Sequence, residues 1–223
     1  MSNRLAKIIS VVLHPLVMPT LIFYILFDYA LESLMPISGV IFQRILRMVF
    51  IITFFLPLVS VMTMRINDLL AYFKYRKSDK KKKAASVAAL LMNDKKDRVL
   101  PFIFVTIIYG LSAYLFLVKI HTNPIFGIVL ASITFTLVLT TLITQSFKIS
   151  MHSAGISGVV GFLMAVSFRY PDNELFYPII ITILLAGAVM TARLQLNAHN
   201  TKEIVAGALL GFLVSFFAIL VFV

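Results

Sequence analysis

The chain is 223 residues long and 61% hydrophobic, with a mean hydropathy of +1.01 and a formal charge of +11. Its apolar residues fall in runs too long for a soluble core, which excludes a water-soluble globular enzyme, and the absence of cysteine excludes disulfides and thiolate chemistry. The runs are continuous rather than alternating, so the backbone polar groups are satisfied within helices and not in a closed barrel.

About 20 apolar residues cross the hydrocarbon layer of a bilayer. Seven such stretches are expected, at about residues 8–31, 47–64, 100–118, 124–145, 153–168, 176–193 and 204–223. They predict an all-α, polytopic membrane bundle of about six to seven transmembrane helices, forming one domain over residues 1–223. The first stretch holds His14-Pro15 and Pro19, so it is expected either to kink or only to dip into the membrane. Arg4 and Lys7 precede it, but no small-x-small cleavage site follows, and no cleavable signal peptide is expected. In a chain without tryptophan, Tyr24, Tyr29, Tyr109, Tyr114, Tyr170 and Tyr177 are the candidate interface anchors.

Between the second and third stretches lies a basic loop, residues 65–99. Residues 65–98 carry 11 of the 20 Lys and Arg, including the run Lys80-Lys81-Lys82-Lys83. No aromatic residues interleave with this lysine run and no nucleic-acid motif accompanies it, so anionic lipid headgroups are the expected partner and nucleic acid is not. Ile66, Leu69, Leu70 and Phe73 recur at helical spacing, as do Val87, Leu90 and Leu91. They predict interfacial helices or extensions of the neighbouring spans.

Seven crossings put the N-terminus, residues 65–99, 146–152 and 193–203 on one side. Residues 32–46, 119–123, 169–175 and the C-terminus fall on the other. The first side holds all the Lys and Arg except Arg44, Arg47, Lys119 and Arg169, so the bias toward positive charge inside places it in the cytoplasm.

Three polar patches share that side: Asn93 to Pro101, Lys148 to Ser153 and Arg193 to Glu203. In the third, Arg193, His199 and Glu203 stand in the spacing R-x5-H-x3-E, which random placement gives in roughly 0.006 chains of this composition. Two or three cations at one membrane surface suit a dianionic phosphate. A carboxylate at Glu203 accepting the Nδ1 proton of His199 would leave Nε2 as a free lone pair, the logic of a triad. His152 is then placed to protonate the leaving alkoxide. Blander readings stand beside these. Asn200-x-x-Glu203 is a capping-box pattern, Arg193 and Lys202 are cations at helix ends, and His152 alone reads as an interfacial polar residue. His14 and His121 are given no role, and Gly207-x-x-x-Gly211 with Gly155, Gly158 and Gly161 is expected to permit close helix packing.

From about Asp94 to the C-terminus the chain resembles the type 2 phosphatidic acid phosphatase superfamily, whose members carry K-x6-R-P, then P-S-G-H, then S-R-x5-H-x3-D on neighbouring loops of a six-helix core. The resemblance rests on Ala192-Arg193, His199 and Glu203 for the third motif and on Ile149-Ser150-Met151-His152 for the second. It implies a membrane lipid phosphate phosphatase or phosphotransferase acting through a phosphohistidine. His199 would be the nucleophile, Glu203 its orienting carboxylate and His152 the general acid. Arg193, Arg98, Lys148, Lys95 and Ser150 would bind phosphate, with neither cofactor nor metal. Glu203 stands where the family has Asp, Met151 where it has Gly, and Ile149 where it has Pro. Arg98 is followed by Pro101 two residues late, and Leu91 occupies the lysine position, for which Lys95 or Lys96 would substitute from one turn away. These departures leave a second expectation open: a catalytically inactive relative that binds anionic headgroups as a scaffold or regulator. A small-solute transporter finds little support, because the later spans carry no deep ionisable residue. A bacterial inner-membrane protein is expected, with a periplasmic site as the family-based alternative to the cytoplasmic one. No feature of the sequence indicates an oligomeric state or names the lipid.

Overall fold

The computed structural model describes residues 1–29, 39–64, 66–75, 81–82, 96–120, 123–171 and 174–223. The regular structure among them is helical: α1 (Asn3–Val12), α2 (Met18–Tyr29), α3 (Gly39–Phe50), α4 (Leu56–Met64), α5 (Ile66–Tyr75), α6 (Lys96–Tyr114), α7 (Pro124–Thr144), α8 (Met151–Arg169), α9 (Phe176–Gln195) and α10 (Thr201–Phe222). Among the described residues, seven stretches are long and apolar enough to cross a membrane: Asn3–Tyr29, Gly39–Met64, Leu100–Lys119, Pro124–Thr144, Met151–Arg169, Phe176–Gln195 and Thr201–Phe222. The chain is a polytopic α-helical integral membrane protein.

The spans agree with the apolar runs to within a few residues, except that the second begins earlier, at Gly39, and so takes in Arg44 as well as Arg47. Arg47 bonds back to the Gln43 carbonyl at 3.2 Å, and long cationic side chains reach the headgroups from inside a helix end. The first segment is kinked, and it traverses the bundle. Gln195 donates to Asn3 Oδ1 (3.1 Å) at one face, and the Glu174 amide donates to the Tyr29 carbonyl (3.2 Å) at the other. The break between α1 and α2 lies at His14-Pro15, where a short 3-10 turn, Pro15–Val17, joins them.

Two sets of contacts agree with the alternation of sides over the last four helices. At one end Lys148 Nζ donates to the Ala198 carbonyl (2.8 Å) and the Ser150 amide to the Glu203 carbonyl (3.2 Å), so the connections after α7 and after α9 meet. At the other end Arg169 reaches the carbonyl of Val223 (3.2 Å).

The tightest helix pair is α8 against α10, and glycine makes it possible. A methyl added at Gly207 would lie 2.5 Å from the Ser150 carbonyl oxygen, and one at Gly211 would overlap the Ala154 carbonyl. Backbones that approach this closely have no room for Cβ. The same contact sinks the start of α8 about two turns below the start of α10, which carries Ser150 and His152 into the bundle.

Toward the opposite face, Phe23, Phe27, Phe116 and Phe126 stack into an aromatic plug, with Phe23–Phe126 and Phe27–Phe126 centroids 5.3 and 5.0 Å apart. Two π-helical turns, Ile51–Phe55 and Leu115–Lys119, interrupt the α-helical ladder. Tyr109 is not an interface anchor. It is buried and its hydroxyl donates to the Thr53 carbonyl of the first π turn (2.6 Å), tying α6 to the second span. Of the basic loop, α5 is described, with Ile66, Leu70 and Phe73 exposed along it. Val87, Leu90, Leu91, Lys80 and Lys83 lie outside the described residues.

Candidate functional site

The five residues between α9 and α10 are specified almost atom by atom. Asn197 adopts φ +49°, a left-handed conformation that asparagine tolerates better than most residues. Its amide bonds the Leu194 carbonyl (2.9 Å) and the Ala198 amide bonds the Arg193 carbonyl (3.1 Å), the pair of bonds of a Schellman closure. Asn200 then caps α10. Its Oδ1 accepts from the Glu203 amide (3.0 Å), and Glu203 returns a bond to the Asn200 amide (3.4 Å). A helix stop and a helix start so close together fix the backbone that carries His199.

The ring of His199 faces Glu203. The Nδ1–H of His199 donates to Glu203 Oε2 at 2.7 Å, and the two side chains are only 7% and 13% exposed. The capping box and the carboxylate–imidazole pair are therefore the same residue at work twice. Proton placement follows, since an anionic acceptor on Nδ1 leaves the Nε2 lone pair unprotonated. Burial of the ring lowers its pKa, the Glu203 bond opposes this, and the charges of Arg193 and Lys148 lower it further, to about 4.

Lys148, expected as a phosphate ligand, spans the two connections through its bond to Ala198. Ser150 does not line the cavity described below. It is fully buried as the N-cap of α8, its hydroxyl receiving the Ser153 hydroxyl (2.9 Å) and amide (3.4 Å). His152, in the first turn of α8, donates Nε2–H to the Ser10 carbonyl at the end of α1 (3.0 Å), which leaves Nδ1 as its other nitrogen. Arg98 falls in the first turn of α6, but its side chain lies outside the described residues, as does Lys95 entirely. Pro101, three residues on, reaches the cavity.

Beside them lies a cavity of about 700 Å³, within the range of about 300–1,000 Å³ usual for small-molecule sites. Lys148, His152, Arg193 and His199, from separate stretches of the chain, all line it. Lys7, Lys148 and Arg193 bring three cations into the lining, His14, His152 and His199 bring three imidazoles, and among the described residues no Asp or Glu lines it. Deeper in, the wall becomes apolar, with Leu58 and Val61 of α4, Phe102 and Val105 of α6, and Ile133 and Leu137 of α7. The space thus has a cationic end at the polar face and an oily sleeve within the bundle.

Sequence reasoning missed the first helix. Lys7 and His14 line the cavity, and the His14 ring meets His152 edge-on with centroids 5.3 Å apart. The available signal was an ionisable residue inside an apolar span, beside a proline that breaks it. His121 lies outside the described residues. No protein-family model, curated protein or solved structure matches the chain.

Proposed function

We propose that the protein is an integral-membrane lipid phosphate phosphatase or phosphotransferase, a divergent relative of the type 2 phosphatidic acid phosphatases, working through a phosphohistidine without a metal. The observation that carries the reading is the convergence of Lys148, His152, Arg193 and His199 on one cavity whose cationic end continues into an apolar sleeve. A phosphate dianion is drawn to Lys7, Lys148 and Arg193, with no Asp or Glu among the described residues that line the cavity. A lipid tail is accommodated by the sleeve between α4, α6 and α7.

In the reaction the Nε2 lone pair of His199 attacks phosphorus, a P–N bond forms and the P–O bond to the leaving group breaks. Glu203 stabilises the imidazolium that develops. Bound phosphate supplies the negative charge that keeps a proton on Nδ1 of His152, and that proton passes to the departing oxygen. Water, or an acceptor hydroxyl, then gives its proton back to His152 and attacks phosphorus, the P–N bond breaks, and His199 is regenerated. Arg193 and Lys148 neutralise the equatorial oxygens throughout. In this reading the protein belongs to a bacterial inner membrane, and the charge bias favours the cytoplasmic face for the site over the periplasmic face that the family resemblance would suggest.

A second reading, a catalytically inactive relative that binds anionic headgroups, is favoured by one feature. Met151 lines the cavity at the position where the resembling family has glycine. Both readings are tested with the purified protein and a panel of phosphatidic acid, phosphatidylglycerol phosphate, a polyprenyl pyrophosphate and a lipid A phosphate. Phosphatase action predicts phosphate release that survives EDTA, is blocked by vanadate and is lost in His199→Ala. Binding that depends on Arg193, without turnover of any member, selects the inactive reading.

A further inference from the structure

The first helix ends where it does because of Pro15. A residue preceding proline is driven out of the α region, and His14 accordingly has φ −68° and ψ +142°. The last turn of α1 closes with the Leu13 amide on the Ile9 carbonyl. One residue later the ladder stops, so the Ser10 carbonyl has lost the amide of His14 that a continuing helix would have given it. That carbonyl is the one that accepts Nε2–H of His152.

The rest of the turn is built against the same ring. His14 accepts the Leu16 amide on Nδ1 (3.3 Å), which fixes its own ring and sets it edge-on to His152. Gly155, one turn below His152, lets the turn come this near. A methyl there would lie 3.2 Å from Met18 Cγ and 3.6 Å from Pro15 Cα. Asn3, bonded to Gln195, anchors the far end of α1.

We propose that the broken end of the first helix, Ser10 to Pro15, is the positioning element for His152, as Glu203 is for His199. The Ser10 carbonyl holds the proton on Nε2 and so dedicates Nδ1 to the leaving group, while the His14 ring fixes the tilt. Neither group touches the reacting atoms. The inference rests on the phosphatase reading and assigns a working role to a segment outside the region of family resemblance.

The test exploits leaving groups. An alkoxide must be protonated as it departs, whereas p-nitrophenolate leaves without help, so kcat/KM, which reports the steps up to that departure, depends on His152 only for the former. In Pro15→Ala the helix can continue through His14, whose amide then takes the Ser10 carbonyl away from His152. In His14→Asn the amide cap is kept but the ring is lost. Both variants of the full chain should lose about tenfold to a hundredfold in kcat/KM on phosphatidic acid and phosphatidylglycerol phosphate. Both should stay within about threefold of wild type on p-nitrophenyl phosphate, which also shows that they are folded. Equal losses on all three esters would mean the turn matters only for folding, and unchanged rates would mean it does not matter; either overturns the inference. A wild type inert toward every ester defeats the phosphatase reading itself, and the role of His152 with it.

Discussion

The carboxylate of Glu203 lies 2.7 Å from Nδ1 of His199 and at the same time closes the capping box of α10. The two duties are chemically separable. Glutamine at N3 serves a capping box as glutamate does, but it carries no charge to stabilise a developing imidazolium. Glu203→Gln should therefore unfold within about 0.5 kcal/mol of wild type, while kcat/KM falls by about a hundredfold or more. Glu203→Ala should lose about 1 kcal/mol in addition, since it also removes the cap. Thermal unfolding in detergent beside phosphate-release kinetics separates them. A Gln variant with full activity would leave Glu203 as a cap alone.

The depressed pKa of His199 has a sign that can be checked. Its folded value, about 4, lies below the ordinary 6.5. Between these two values the unfolded chain binds the proton and the folded one does not. The stability contributed is thus complete above about pH 6.5 and is lost as pH falls toward 4. Histidine-labelled protein, assigned with His199→Gln, should show this imidazole titrating near 4 by NMR, with a flatter acid limb of Tm in the variant. A midpoint near 6.5 would contradict the buried, cation-flanked setting.

Glycine at the α8–α10 contact gives a contrast within one molecule. Gly207→Ala puts a methyl onto the Ser150 carbonyl, a backbone atom that cannot swing aside, and should cost about 1–3 kcal/mol. The loss should extend to activity, because this contact sets the depth of His152. Gly187 in α9 has nothing within 4 Å of an added methyl, so Gly187→Ala should be neutral or stabilise by up to about 1 kcal/mol. Comparable Tm values for the two variants would mean that the close packing does not fix the site.

Arg193 and Lys148 should differ in kind. A lysine is a point charge and cannot reproduce the planar fork of a guanidinium. Arg193→Lys is expected to cost about tenfold or more in kcat/KM, although the charge is kept. Lys148→Met removes a cation and the tie to the Ala198 carbonyl, and should raise KM more than it lowers kcat. Steady-state kinetics on the best lipid of the panel reads both.

The spans were legible in the sequence because hydrocarbon thickness imposes its own length on every apolar run. That the patches Lys148 to Ser153 and Arg193 to Glu203 share a side was legible for the same reason. Arg193, His199 and Glu203 were legible because a short loop keeps sequence neighbours together in space. The entry of the first helix into the site was not. Its contact with His152 joins residues 142 apart, and it depends on where one proline stops one helix. Ser150 carried a polar label that suited a ligand, yet a hydroxyl at the head of a sunken helix is committed to the cap. Tyr109 likewise had the composition of an interface anchor, and a π turn, invisible to periodicity, gave its hydroxyl a partner inside the bundle.

The central claim is that Nε2 of His199 becomes bonded to phosphorus. Rapid acid-free quenching of the enzyme with a ³²P-labelled lipid phosphate, followed by peptide mass spectrometry, tests it directly. The account predicts a base-stable, acid-labile phosphoryl group on His199, present in wild type, absent in His199→Asn and longer-lived in His152→Ala. Label on another residue, or full turnover by the His199→Asn enzyme, would contradict it.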